Sequence, residues 1–121
     1  MKFMALIYGD QSVWDAFSAA EKESAYERYR AFAKEAGEAG VLVGGDELGS
    51  TRDATTVRVR GDETLVTDGP YAEVKEALGG YFILECASID AAVDFAARIP
   101  GAEHGAVEVR PVYVDPAEVQ L

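Results

Sequence analysis

The sequence predicts a single α+β domain over residues 1–121, with a ferredoxin-like βαββαβ order, an antiparallel sheet and an inserted hairpin. Three observations lead to this fold class. Residues 2–8 and 81–86 are apolar on both faces, which is typical of strands in the middle of a covered sheet. Each is followed by an amphipathic helical pattern. Between the two halves lie short Thr- and Val-rich segments that predict a hairpin.

The first half begins with the strand at residues 2–8. Residues 18–21, Ser-Ala-Ala-Glu, have the form of a capping box and predict a helix that continues to about Ala39. Its apolar stripe, spaced three and four residues apart, is Ala25, Tyr26, Tyr29, Phe32, Ala33 and Ala36. Residues 41–48 form the second strand, and Gly44-Gly45 within it predicts a bulge or a close backbone approach. Residues 9–17 are expected to be a connection.

The hairpin and the second half follow. Thr55–Arg60 and residues 64–67 flank a Gly-Asp-Glu turn. Ser88 is expected to cap a helix at residues 89–99, with the stripe Ile89, Ala92, Val93, Ala96 and Ile99. Residues 106–114 predict the last strand, which should lie at an edge because Pro111 lacks an N–H group. The tail after Asp115 is expected to be mobile or to cover a partner.

The segment at residues 67–80, TDGPYAEVKEALGG, joins the two halves, and we call it the hinge segment. Asp68-Gly69-Pro70 has turn chemistry, since Gly accepts a positive φ and Pro presets φ for a first helical turn. Residues 72–78 are helix formers, and Gly79-Gly80 would end the helix. The pattern therefore predicts a short capped helix between two strands.

The hinge segment, continued through residues 81–85, and PGAEHGAVEVRPV at residues 100–112 resemble the YCII-related family of the DGPF type. That type is named for an Asp-Gly-Pro-Phe segment, and Tyr71 stands at the Phe position here. The opening KFMALIYGD is similar to the first strand of the family. The resemblance implies a ferredoxin-like fold that dimerises face to face as a dimeric α/β barrel, and loosely an enzymatic activity. A histidine-aspartate pair of the wider family has no match at His104, the single histidine.

Composition bears on partners and compartment. The chain carries 11 Lys and Arg against 22 Asp and Glu, a formal net charge of −11, which argues against nucleic-acid binding. No apolar run approaches the ~20 residues of a membrane-spanning helix, so no membrane partner is expected. Cys86 is the single cysteine. Together these features predict a cytoplasmic protein.

A homodimer is predicted from the sheet. Split βαβ units place both helices on one face of the sheet, so the opposite face is left uncovered. Side chains alternate between the two faces of a strand, and both alternating sets are apolar here. The open face would therefore carry Met4 or Phe3, Tyr8 or Ile7, and Tyr81 or Phe82. A bare apolar face of this size is an association surface, so we expect two copies to pair through it.

No metal and no cofactor are expected, since the sequence lacks metal-binding spacings and a dinucleotide fingerprint. The candidate catalytic or cleft-lining residues are Asp68, Lys75, Glu108 and Arg110. Glu85, Glu108 and Arg110 are charges on otherwise apolar strands, which are costly unless paired. One interpretation is an internal Glu–Arg ion pair. The other is a pocket in which Arg110 presents its fork to a carboxylate or enolate.

Three functional hypotheses remain open. The first is a small dimeric protein with an enzyme-like cleft between sheet and loops that takes a small molecule. The alternative is a non-catalytic ligand-binding or regulatory module, because proteins that resemble this family can accompany sigma-type transcription factors. A third is a purely structural interaction partner. A wet pocket would favour the first, and a closed dry one the third.

Overall fold

In the computed structural model, which describes residues 1–117, four strands form an antiparallel sheet and two more form a separate hairpin. The sheet order is β2-β5-β1-β6, with β1 Lys2–Asp10, β2 Leu42–Glu47, β5 Glu76–Glu85 and β6 Ala106–Pro111. The hairpin consists of β3 Thr55–Arg60 and β4 Glu63–Asp68. The α-helices of the described residues are α1 Gln11–Ala16, α2 Ala19–Glu38 and α3 Ile89–Ala96. The fold is a mixed α+β fold with antiparallel sheets, as predicted.

The core lies on one face of the sheet. Phe3 and Ala5 of β1 are buried, and Leu84 of β5 lies opposite Phe3 in the register. These side chains pack with buried residues of both long helices, Phe32 and Ala36 of α2 and Ala92 and Ala96 of α3. Because side chains alternate along a strand, α2 and α3 cover the same face of the sheet, and no helix within residues 1–117 covers the other face.

The start of α2 confirms the predicted capping box. The Glu21 N–H donates to Ser18 Oγ at 3.1 Å, and the Ser18 N–H donates to Glu21 Oε1 at 2.9 Å. The hydrogen bond from the Ser18 backbone N–H is the largest cause of the lowered pKa of Glu21, and the Ser18 side chain lowers it further. Phe32 and Ala36 are buried and the rest of the predicted stripe is half-buried, so the helix faces the sheet as its periodicity predicts.

Several element boundaries differ from the predictions. Residues 11–16 form a helix, because Asp10 caps it by accepting a 2.9 Å hydrogen bond from the Ser12 N–H. The second long helix is shorter than predicted, since α3 ends at Ala96 and Ile99 is the N-cap of a separate 3-10 turn, Pro100–Glu103. The last strand ends at Pro111 and is an edge strand. The predicted tail begins after Asp115, and its residues 118–121 lie outside the described residues.

The predicted helix at residues 72–78 is wrong. Strand β5 begins at Glu76 and runs through Gly79 and Gly80, which we had expected to end a helix. Pairing of residues 76–78 with β1 overrides the helix propensity here. Leu78 lies opposite Tyr8 in β1, and Gly80 lies against β2, where a Cβ would come 3.0 Å from a backbone oxygen. Gly69 does adopt the positive φ, +103°, expected of the turn.

The paired glycines of β2 behave as predicted. The register of β2 against β5 shifts between Leu42 and Gly44, which marks an irregularity. Gly45 lies in close contact with the β5 backbone. Of the two predicted alternatives, the close backbone approach is therefore confirmed, and the irregular register lies in the same strand.

Among residues 1–117, no helix is both long and apolar enough to cross a membrane.

Candidate functional site

The hinge segment lines a cleft of about 420 Å³, which we call the hinge cleft. One wall comes from the 3-10 turn Thr51–Asp53, and the other from the residues that lead into β5. The lining residues are Thr51, Arg52, Pro70, Ala72, Glu73, Val74 and Ala77. The cleft thus joins an apolar wall to one basic and one acidic side chain.

Hydrogen bonds at the base of the hairpin position the two walls. Ser50 Oγ accepts from the Arg52 N–H at 3.1 Å and caps the 3-10 turn. The Gly69 N–H donates to the Ala54 carbonyl at 2.8 Å, and the Thr56 hydroxyl donates to the Gly69 carbonyl at 2.9 Å. The strands of the hairpin therefore hold the turn before β3 beside the turn after β4.

Arg52 is oriented by helix α1. Its Nη1 donates to Asp15 Oδ2 at 2.8 Å, across 37 residues of sequence. This hydrogen bond lowers the pKa of Asp15 most, and a second one from Gln11 lowers it further. The same pair raises the pKa of Arg52. Because a guanidinium has five N–H donors, the contact with Asp15 leaves other donors for a ligand.

Aromatic packing holds α1 in place. Trp14 of α1 packs edge-on against Tyr26 of α2, with ring centroids 5.4 Å apart, and against Phe17 at 5.6 Å. The ammonium of Lys22 lies 5.6 Å from the Trp14 ring centroid. Since α1 carries Asp15, this cluster fixes the carboxylate that orients Arg52.

Two tyrosine–carboxylate contacts lie at the end of β2. The Tyr26 hydroxyl donates to Glu47 Oε1 at 2.9 Å, and the Tyr81 hydroxyl donates to Asp46 Oδ2 at 3.0 Å. Burial and then the Glu47 carboxylate raise the pKa of Tyr26, and the hydrogen bond to Asp46 raises the pKa of Tyr81. Both carboxylates therefore already have a hydrogen-bond partner within the chain.

The structure places Glu85, Glu108 and Arg110 on the face of the sheet opposite the helices. Arg110 and Glu108 lie opposite Met4 and Leu6 in the register. Glu108 Oε1 accepts from the Tyr8 hydroxyl at 3.5 Å, and Glu85 Oε1 lies 3.4 Å from the terminal amino group. No carboxylate within residues 1–117 comes within 4.0 Å of Arg110, so a single chain holds no Glu–Arg pair there.

Asp68 and Lys75 lie at the other end of the molecule. Asp68 ends β4, and Lys75 directly precedes β5, where its charge helps lower the pKa of Asp10 after the larger effect of Ser12. Asp10 and Met4 are six residues apart on β1, about 20 Å along an extended strand. Within one chain Lys75 therefore lies near Asp10, at one end of β1, while Arg110 lies near the opposite end, and none of the four candidate residues lines the hinge cleft.

The uncovered face of the sheet is partly apolar, and we call it the open face. Its central residues are Met4, Leu6 and Tyr8 of β1 with Tyr81 and Ile83 of β5. The structure thus selects Met4, Tyr8 and Tyr81 from the predicted alternatives. Phe82 points to the core, where its ring centroid lies 4.9 Å from that of Phe32.

His104 and Cys86 are the single histidine and the single cysteine of the chain. His104 is exposed in the turn before β6, 4.0 Å from Glu103. Cys86 is buried in the core, and burial raises the pKa of its thiol. Sequence reasoning missed Arg52 and Asp15, because neither lies in a periodic segment or in a motif.

Comparison with known proteins agrees with the resemblance seen in the sequence. The family model of the YCII-related domain matches residues 1–114. The chain is also 40% identical over 114 residues to an uncharacterized protein of Rhizobium meliloti (strain 1021), an alignment that covers 93% of this chain and 92% of that protein. The chain belongs to the YCII-related domain family.

Proposed function

We propose that the protein binds a small organic molecule with a carboxylate or a similar anionic group in the hinge cleft. The observation that carries this proposal is the Arg52 guanidinium on the wall of a cleft of about 420 Å³. Cavities of roughly 300–1,000 Å³ accommodate small-molecule ligands in most proteins. An arginine fork recognises a planar carboxylate through two parallel hydrogen bonds.

The geometry around Arg52 supports an anionic ligand. Asp15 accepts from one donor, Nη1, of an Arg52 side chain that is 68% exposed, so the remaining guanidinium donors are free to bind a ligand. Val74 and Ala72 supply an apolar surface for the body of the molecule. Glu73, on the same wall, favours a ligand that also carries a hydrogen-bond donor.

We further propose a homodimer of the ferredoxin-like, dimeric α/β-barrel type, formed through the open face. Met4, Leu6 and Ile83 support it, because these apolar side chains face away from the helices. Asp68-Gly69-Pro70 with Tyr71 supports membership of the DGPF-type subgroup. A cytoplasmic location fits a chain whose single cysteine is a free, buried thiol.

The proposal includes two alternative roles for the bound molecule. In the first, the cleft is enzyme-like and the ligand is a substrate. In the second, the protein is a ligand-binding or regulatory module, of the kind that accompanies sigma-type transcription factors. Incubation with a ligand followed by mass analysis separates them, since only the first use converts the ligand.

The ligand proposal is tested with a panel of small carboxylates and inorganic phosphate, screened by thermal shift and measured by calorimetry. We expect Arg52→Ala to weaken binding of any hit at least ~10-fold, as the loss of a charge-assisted hydrogen bond does. Arg60→Ala is the control, because Arg60 is exposed on the hairpin and does not line the cleft. Equal affinity of the Arg52→Ala variant and the wild type would contradict the proposal.

The dimer proposal is tested separately by light scattering. Met4→Glu places a charge in the apolar centre of the open face and should convert the dimer to monomer at micromolar concentration. Ala31→Glu adds the same charge on the exposed side of α2 and should leave the dimer intact. A wild-type protein that scatters as a 13.0 kDa monomer would contradict the dimer and leave the ligand proposal standing.

A further inference from the structure

The hairpin exposes a row of valines on one side. Val57 lies directly opposite Val66, and Val59 lies opposite Thr64. Since alternate residues of a strand share a face, these side chains point the same way, and we call this surface the valine face. Val57, Val59 and Val66 are 60%, 60% and 63% exposed. Three adjacent β-branched side chains are thus left in water.

The hairpin packs on little else in the chain. Strands β3 and β4 contact mainly each other, and they form a sheet separate from the four-stranded one. On the side of the hairpin opposite the valine face, the Arg58 guanidinium lies 5.1 Å from the ring centroid of Tyr71. The hinge segment therefore partly shields that side. A two-stranded hairpin is marginally stable alone in water. The valine face therefore needs a cover that residues 1–117 of one chain do not supply.

The total surface indicates how large the missing cover is. The chain exposes 8383 Å² of accessible surface at a mass of 13.0 kDa. A monomeric protein of that mass exposes roughly 6,300 Å². The excess of roughly 2,000 Å² lies in the range that each partner buries in an obligate homodimer.

We propose that the valine face of the hairpin is an interaction surface for a second copy of this chain. The area excess argues for a copy of the chain, because obligate homodimers bury areas of this size. Charge restricts where two copies can meet. The chain has a net charge of −11, so two copies repel each other over most of their surfaces.

The valine face is a place where that repulsion is small. Its central residues, Val57, Val59, Val66 and Thr64, are uncharged, while Arg58 and Arg60 project from the other side of the hairpin. Asp68 lies at one end of the face. A second copy can therefore cover the valines without burying a carboxylate in the middle of the contact. This inference does not depend on a ligand in the hinge cleft.

Two neighbouring residues of β4 provide the test. Val66 and Thr67 are both exposed and point to opposite sides of the hairpin, so Val66→Glu and Thr67→Glu add the same charge on different faces. We expect Val66→Glu to raise the dissociation constant of the dimer at least ~10-fold, measured by sedimentation equilibrium of the purified protein. Thr67→Glu should change it less than ~3-fold.

Hydrogen exchange of the wild type gives a readout that does not depend on how a variant folds. The hairpin amides should be protected at high protein concentration and exchange faster on dilution, because dissociation uncovers the hairpin. Equal effects of the two substitutions, or concentration-independent exchange, would overturn the proposal. So would a monomeric wild type, which would leave the valine face to a different protein. Dissociation by Met4→Glu but not by Val66→Glu would retain the open-face dimer and reject this one.

Discussion

The backbones of Gly45 and Tyr81 lie so close together that no side chain fits at position 45. A Cβ there would lie 2.5 Å from the Tyr81 carbonyl oxygen. Real Cβ atoms do not approach an oxygen so closely, so a larger residue must push β2 away from β5. The same Cβ would also lie 2.6 Å from Phe82, whose ring packs in the core. The glycine is therefore a requirement of sheet packing.

Gly45→Ala should lower the free energy of unfolding by about 1–3 kcal/mol, as overpacking typically does. Gly37→Ala is the matched control, because a Cβ at that position of α2 meets nothing within 4 Å. Alanine is the better helix former, so this variant should gain up to about 1 kcal/mol. Urea unfolding of both variants measures the difference, and equal stability of the two would contradict the close contact.

Arg110→Ala should cost less than about 1 kcal/mol of stability, because its side chain is exposed and holds no carboxylate partner among residues 1–117. Arg60→Ala, on the exposed hairpin, sets the baseline. Thermal unfolding checks both at a protein concentration that keeps any dimer formed. A loss of about 3–5 kcal/mol specific to Arg110→Ala would instead reveal a buried pair across the dimer.

Stability should fall above about pH 10. Burial raises the pKa of Tyr29 above its ordinary value of 10.0, so the folded state keeps the proton to higher pH than the unfolded state does. Below that value both states are protonated and the stability is fully present. Above it the unfolded state ionises first, and the stability is lost until the folded-state pKa is passed.

Tyr29→Phe should accordingly show a smaller loss of stability than the wild type between about pH 9 and about pH 11. Tyr113→Phe serves as the control, because Tyr113 is exposed at the end of the described chain. Denaturant unfolding at several pH values measures both slopes. Parallel curves for the wild type and Tyr29→Phe would show that the Tyr29 hydroxyl is not the group responsible.

Removal of metal ions should leave the fold unchanged. Within the described residues, no group of three or more His, Cys, Asp or Glu side chains is arranged to hold an ion. Dialysis against a strong chelator should therefore leave the melting temperature where it was. A drop of many degrees, restored by adding back one metal, would identify a structural site.

Local signals in the sequence predicted much of the fold. The Ser18–Glu21 box fixes the start of α2, and two-sided apolar runs mark the central strands, because both depend on residues close together in sequence. The helix expected at residues 72–78 failed for the opposite reason. Its local propensity is helical, but residues 76–78 pair with β1, and this pairing requires strand geometry.

The candidate site was less accessible to such reasoning. Arg52 and Asp15 are 37 residues apart, and they meet because the hairpin and α1 converge at one end of the sheet. Neither lies in a periodic pattern, so nothing in the neighbouring residues distinguishes them from surface charges. Conversely, Arg110 stands out in an apolar strand, yet its face of the sheet is open rather than enclosed.

The reactivity of Cys86 can report local opening of the native structure. The thiol is the single one in the chain and is packed in the core, so a labelling reagent reaches it only when the structure around it opens. Burial also raises its pKa, so little of the reactive thiolate forms in the closed state. The labelling rate, followed with and without a bound molecule, would count opening events near the end of β5 without any engineered probe.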